Sequence, residues 1–215
     1  MFTMQDIQEL RTRTGVGFAD CKKALQENGG DIEKAVEYLR EKGMAAASKK
    51  AGRIAAEGAI FSYIHAGGRI GVLLEVNCET DFVAREESFN QFGKDIAMQI
   101  AASNPLYVKE EDVPEAVLAK EREIQRATCL NEGKPEAVVD KIVEGKMAKY
   151  LKDICLLNQE FIKDPDITVK EYLNQMTLKT GEKLSIRRFV RYEMGEGIEK
   201  RKDNFVEEVM GSLKK

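Results

Sequence analysis

The chain has no tryptophan, only four prolines and a single histidine among its 215 residues. Scarce proline and absent tryptophan argue against a loop-rich all-β module. One histidine, His65, gives no basis for a histidine metal cluster, and Cys21, Cys78, Cys129 and Cys155 form no C-x-x-C pair. Isolated cysteines of this kind are expected as reduced, buried thiols in a cytoplasmic protein. A basic excess is also lacking. Lys and Arg number 34 against 37 Asp and Glu, for a net charge of −3, whereas a dedicated nucleic-acid binder carries a strong positive balance. The longest apolar-leaning stretch, 59–76, is broken by His65, Gly67, Gly68, Arg69 and Glu75, so no membrane span is expected. Asp6 and Glu9 fall where a signal peptide would be apolar.

Motifs of nucleotide and hydrolytic chemistry are missing as well. The sequence has no phosphate-binding P-loop, no G-x-G-x-x-G after a strand, no G-x-S-x-G and no H-E-x-x-H. The one pair suited to nucleophilic chemistry is Cys78 with His65 on neighbouring strands, and it has no evident third group to orient it. No catalytic residue, cofactor or metal ligand is assigned.

What is present is ordinary globular material. Apolar residues make up 43% and charged residues 33%, and the length suits one or two domains. Residues 1–42 read as a three-helix bundle. Thr3 precedes Met4, Ile7 and Leu10 at helical spacing, with Asp6 placed for a capping box. Gly15-Val16-Gly17 breaks this helix, and Phe18, Cys21 and Leu25 mark a second that stops at Asn28-Gly29-Gly30. Asp31 is placed to cap a third, carrying Ile32, Ala35, Val36 and Leu39 and ending before Gly43. The turn Thr14-Gly15-Val16-Gly17-Phe18 resembles the loop of ubiquitin-associated domains. Residues 43–57 are Ala-rich with little apolar stripe and read as a partly helical linker, so few contacts are expected to cross it.

Residues 58–194 read as an α+β core. Two runs, 59–65 and 69–78, flank Gly67-Gly68 as a hairpin, with Ile70, Val72, Leu74 and Val76 alternating toward one face. A helix follows with Phe89, Phe92, Ile96 and Ile100 on one stripe. Two more helices start near Pro114 and Pro135, and Thr168 is placed to cap another that stops at Gly181. Residues 183–192 read as a third strand with Leu184, Ile186, Val190 and Tyr192 on one face. A last helix is expected over about 203–213, with Phe205, Val206, Val209 and Met210 on one stripe, so that 195–215 reads as a separate helical end of the chain. The expected architecture is a small antiparallel sheet covered by helices.

The segment Glu79-Thr80-Asp81-Phe82-Val83-Ala84-Arg85 leaves a strand and enters a helix, a junction where binding groups are commonly displayed. Spacing alone leaves two readings open. In one, Thr80 or Asp81 caps the helix and Phe82 plugs the core. In the other, Phe82 projects as a wedge.

Four blocks resemble the bacterial elongation factor Ts family, the nucleotide-exchange factors of elongation factor Tu. They are the run from Leu10 to Leu25, the run from Asn28 to Ala35, the strand-to-helix motif from Glu75 to Arg85, and the tail from Arg187 to Lys200. The resemblance implies a ubiquitin-associated-like N-terminal domain, an α+β core and a C-terminal helical module. It implies elongation factor Tu as partner, with Phe18, Ala19 and Lys22 touching the GTPase domain. It also implies that Thr80, Asp81, Phe82 and Val83 form the motif that disturbs the Mg²⁺ end of the nucleotide site. The helix bearing Phe205 and Val209 resembles a module that reaches the same domain. Phe18 and Ala19 stand where some members have methionines. Longer members hold two related core subdomains, whereas this chain has one copy, with the His65 hairpin directly before the Asp81-Phe82 motif. A homodimer is therefore expected, one chain supplying Phe82 and the other its His65 hairpin. No nucleic-acid or membrane partner is expected. The alternatives are an adaptor that tethers partners through residues 1–42 without exchange activity, and an enzyme using Cys78 and His65.

Overall fold

The computed structural model describes residues 2–199. The helix expected over 203–213, with Phe205 and Val209, lies outside the described residues. Three helices come first. Helix α1 (Met4–Thr14) begins with the capping box in full: the Thr3 hydroxyl accepts from the Asp6 N–H, and the Asp6 carboxylate accepts from the Thr3 N–H. It ends on left-handed Gly15. Helix α2 (Phe18–Glu27) turns through Asn28-Gly29-Gly30, and Asp31 caps α3 (Ile32–Lys50) by accepting from the Lys34 N–H. Ile7, Leu10, Val16, Cys21, Ala24, Leu25, Ala35 and Leu39 form their common core.

Helix α3 does not stop before Gly43 as its apolar pattern suggests. It runs to Lys50 because its second half lies on a partner. Gly43 is buried against the backbone of a later helix, α8 (Val169–Thr180), where a Cβ would come within 3.3 Å of the Asn174 carbonyl oxygen. Arg40 pairs with Glu171, and Leu178 packs against the N-terminal core. Contacts thus cross the 43–57 segment, because a glycine that looks like a helix stop serves as a close-approach point.

The sheet is built from β1 (Glu57–His65), β2 (Ile70–Cys78) and β5 (Ser185–Glu193), antiparallel throughout in the order β1-β2-β5. Helix α5 (Glu87–Ser103) covers its inner face. Phe89, Phe92, Ile96 and Ile100 meet Phe61, Val72, Leu74 and Val76 in one core. Gly93 makes this approach possible: a Cβ there would fall 2.3 Å from the Phe61 ring. Helices α6 (Glu115–Asn131) and α7 (Glu136–Ile154) form an antiparallel hairpin with its own small core of Cys129, Val139, Val143 and Met147. A short ribbon of β3 (Glu160–Phe161) and β4 (Asp164–Thr168), not expected from the sequence, leads into α8. The α+β class expected from the sequence is the one observed.

Strand β5 departs from simple alternation. Glu75 pairs with Arg188 while the next residue, Val76, pairs with Ile186, leaving Arg187 as a bulge. The extra residue reverses parity. Leu184 and Ile186 are buried as expected, but beyond the bulge Phe189 packs on the core while Val190 (46% exposed) and Tyr192 (72%) face outward. The bulge also lets two consecutive arginines reach one carboxylate: Arg187 and Arg188 each donate to Glu75 at 2.7 Å. These bonds hold the Glu75 carboxyl down to about 2.

Candidate functional site

After Cys78 the β ladder ends and the chain turns into a single helical turn, α4 (Asp81–Arg85). Thr80 is its cap, accepting from the Val83 N–H at 3.4 Å. Val83 is buried in the main core, whereas Phe82 is 77% exposed. Of the two readings left open by the spacing, the core plug is therefore Val83, and Phe82 projects. Asp81 is half-buried and pairs with Arg85 one turn on, at 2.8 Å.

The turn is anchored from a distance. The Glu182 carboxylate accepts from the Glu79 and Thr80 N–H groups at 3.1 and 3.0 Å and from the Thr80 hydroxyl at 2.6 Å. Glu79 in return accepts from the Lys183 N–H at 2.6 Å and from the Arg53 guanidinium at 3.3 Å. The Lys183 bond, then the Arg53 contact, holds the Glu79 carboxyl below the usual carboxylate range. The Lys183 ammonium donates to the Ala51 and Arg53 carbonyls at 2.7 and 2.8 Å, just past the end of α3. Sequence reasoning missed Glu79 and Glu182 as anchors. Their partners lie about a hundred positions away, and no local pattern marks such a pair.

The other candidate residues sit on separate surfaces. Phe18 (42% exposed), Ala19 and Lys22 lie together on exposed positions of the first two turns of α2. His65 closes the β1–β2 hairpin, its Nδ1 2.9 Å from the Tyr63 hydroxyl and its ring stacked on that of Tyr63. The Cys78–His65 pair does not assemble. Cys78 pairs with Glu57 and His65 with Ile70, at opposite ends of a nine-residue ladder, about 26 Å apart at the strand rise. Cys78 is fully buried, burial pushes its thiol up to about 11, and it donates to the Thr80 carbonyl. A thiol held neutral in this way is no nucleophile.

The outer face of the sheet carries a second feature. Register places Ile60, Ile64, Leu73, Val190 and Tyr192 on it together, all exposed, with Glu75 and Arg188 along one side. Among the described residues no helix is long and apolar enough to cross a membrane.

Comparison with known proteins adds to this geometry. Residues 15–196 match the family model described as Elongation factor TS. The elongation factor Ts of Carboxydothermus hydrogenoformans is 60% identical over 214 residues, covering 100% of this chain and 99% of the relative. That of Desulforamulus reducens is 62% identical over 208 residues, covering 97% of this chain and 96% of the relative. That of Heliobacterium modesticaldum is 58% identical over 215 residues, with both chains covered completely. With the strand-to-helix motif, the α+β core and full-length relatives in agreement, the chain belongs to the elongation factor Ts family.

Proposed function

We propose that this chain is the nucleotide-exchange factor of elongation factor Tu, acting in the cytoplasm on the partner GTPase and carrying no active site of its own. The observation that carries this reading is the exposed Phe82 on a clamped turn. A large aromatic is held in water beside a buried valine, so its apolar surface remains available to a partner. Burying it there contributes about 1.5–3 kcal/mol.

A GTPase holding GDP at nanomolar Kd stores about 12 kcal/mol in that complex. Phosphates and Mg²⁺ are held together, so release is slow. An exchange factor must bind better when they are displaced, and linkage then requires the nucleotide to weaken factor binding by the same factor. Phe82 favours the displaced state when its pocket opens in that state. Thr80 and Val83 fix the turn, and Asp81 brings a carboxylate toward the Mg²⁺ end of the partner's site. The N-terminal unit, residues 1–42, delivers Phe18, Ala19 and Lys22 to the GTPase domain from a second direction. Residues 43–57 join it to the core of 58–194, and residues 195–215 add a third contact through Phe205 and Val209.

The working form is a homodimer formed through the outer sheet face, whose five exposed apolar side chains exceed the scattered ones of ordinary surfaces. A two-fold pair places the Phe82 of one chain and the His65 hairpin of the other on one partner. The deciding experiment is release of labelled GDP from elongation factor Tu with and without this protein. Acceleration supports exchange, and binding without acceleration favours the tethering adaptor.

A further inference from the structure

We propose that Glu182 is a positioning residue for nucleotide exchange: from the turn between α8 and β5, its carboxylate sets the direction in which Phe82 projects. This role rests on the wedge reading of Phe82.

The clasp begins where the ladder stops. Beyond Cys78 the N–H groups of Glu79 and Thr80 have no strand partner, and both converge on one oxygen of Glu182. The other oxygen takes the Thr80 hydroxyl, and that same hydroxyl oxygen accepts from the Val83 N–H in the first turn of α4. A continuous chain of bonds therefore runs from the Glu182 carboxylate to the helical turn that carries Phe82. The reverse bond, Lys183 N–H to Glu79, closes the clasp from the other side.

Stability alone does not call for this arrangement. The groups are only partly buried, and water satisfies such N–H groups nearly as well. Water does not fix an angle. A carboxylate borne on a turn between two packed elements does, because α8 and β5 both contribute to the main core. Holding Phe82 in one direction before binding removes the ordering penalty at the moment of docking. Lys183 extends the clasp to the end of α3, so the surface bearing Phe18 and Lys22 is set at a fixed distance from Phe82.

The test uses Glu182→Gln in the full chain. The amide keeps the size and one acceptor oxygen, so it can serve the two N–H groups or the Thr80 hydroxyl but not both, and the clasp opens on one side. Three quantities are read: release of labelled GDP from elongation factor Tu, hydrogen exchange at the Glu79, Thr80 and Val83 amides, and thermal unfolding. We expect an almost unchanged melting temperature, loss of protection at the Glu79 and Thr80 amides or at the Val83 amide, and stimulated release slowed about fivefold or more. In a Phe82→Ala background the same substitution should then produce no further slowing, because a residue acting only through Phe82 has nothing left to position. Full exchange in a folded Glu182→Gln protein, or slowing that adds in full to that of Phe82→Ala, overturns the role and leaves the wedge standing. Full exchange by Phe82→Ala itself overturns the wedge, and the role of Glu182 with it. Should Glu182→Gln not fold, Glu182→Asp keeps the charge and shortens the reach. Unfolding of both variants overturns the proposal in favour of a purely structural anchor.

Discussion

Phe82 and Val83 are neighbours in sequence with opposite fates, and substitution should separate them cleanly. Phe82→Ala removes an exposed ring, so the melting temperature should stay within the range of surface substitutions while stimulated GDP release slows more than about tenfold. Val83→Ala should do the reverse first, lowering stability by about 1–3 kcal/mol, because it opens a gap in the main core. Paired stopped-flow release and thermal unfolding measurements decide both. A Phe82→Ala protein that unfolds would restore the core-plug reading. Glu75 sets an acid limit of its own. Its carboxyl lies at about 2 in the fold against 4.5 when free, so its contribution is present above about pH 4.5 and fades as pH falls toward 2. Glu75→Gln should therefore flatten the pH dependence of stability across that window. An unchanged slope in acid unfolding curves would show that Arg187 and Arg188 do not hold the carboxylate in solution.

At the scale of elements, the contact between α5 and β1 leaves no room for a side chain at Gly93. Gly93→Ala drives a methyl into the Phe61 ring, which is buried and has nowhere to move. We expect a loss of about 1–3 kcal/mol, read as a fall of several degrees in melting temperature, with exchange intact in the folded fraction. Most of the elements were legible in the sequence, and for local reasons. Thr3, Asp31 and Thr168 announce helix starts through bonds made within three residues, and Gly15 and Gly181 announce stops through their left-handed backbone. The hairpin and the stripe of α5 follow from periodicity alone. What was not legible depends on partners far away in the chain. Gly43 reads as a stop until α8 is seen beside it. Glu182 reads as one more surface charge after a helix until the turn at Glu79 and Thr80 meets it. The exposure of Phe82 rather than Val83 turns on where the cap falls, a choice the spacing left open between Thr80 and Asp81.

For the whole molecule, the packing of α3 on α8 changes what truncation should do. Cutting after residue 42 divides α3 in the middle of its contact, removing Arg40 from Glu171 and the N-terminal core from Leu178. The shortened protein should unfold at a lower temperature than the full chain, as well as binding elongation factor Tu more weakly. An unchanged melting temperature would show that the α3–α8 contact contributes little. The proposed homodimer makes a separate demand on the outer face of the sheet. Sedimentation equilibrium at micromolar concentration should give a mass near twice 24.2 kDa. Leu73→Lys places a charge at the centre of that face and should return the mass to a single chain without altering the fold. A full-length protein that sediments as a single chain and exchanges at full rate would refute the dimer.

The bulge at Arg187 gives β5 one residue that the ladder does not count. Val76 faces Ile186 and Glu75 faces Arg188, so the pairings on either side are already in step without it. Taking Arg187 out should close the strand into plain alternation against the same partners, with Ile186 and Phe189 still toward α5 and Val190 and Tyr192 still outward. The loss is local: one of the two arginines on Glu75 and the bend that the extra residue brings. One residue added between Phe189 and Val190 is a different matter. It moves every later position along by one, turning Val190 and Tyr192 inward and the Arg191 guanidinium out. A protein lacking Arg187 should therefore reach the native sheet, whereas one lengthened by a single residue three positions on should not, and circular dichroism with thermal unfolding of the two variants separates these outcomes.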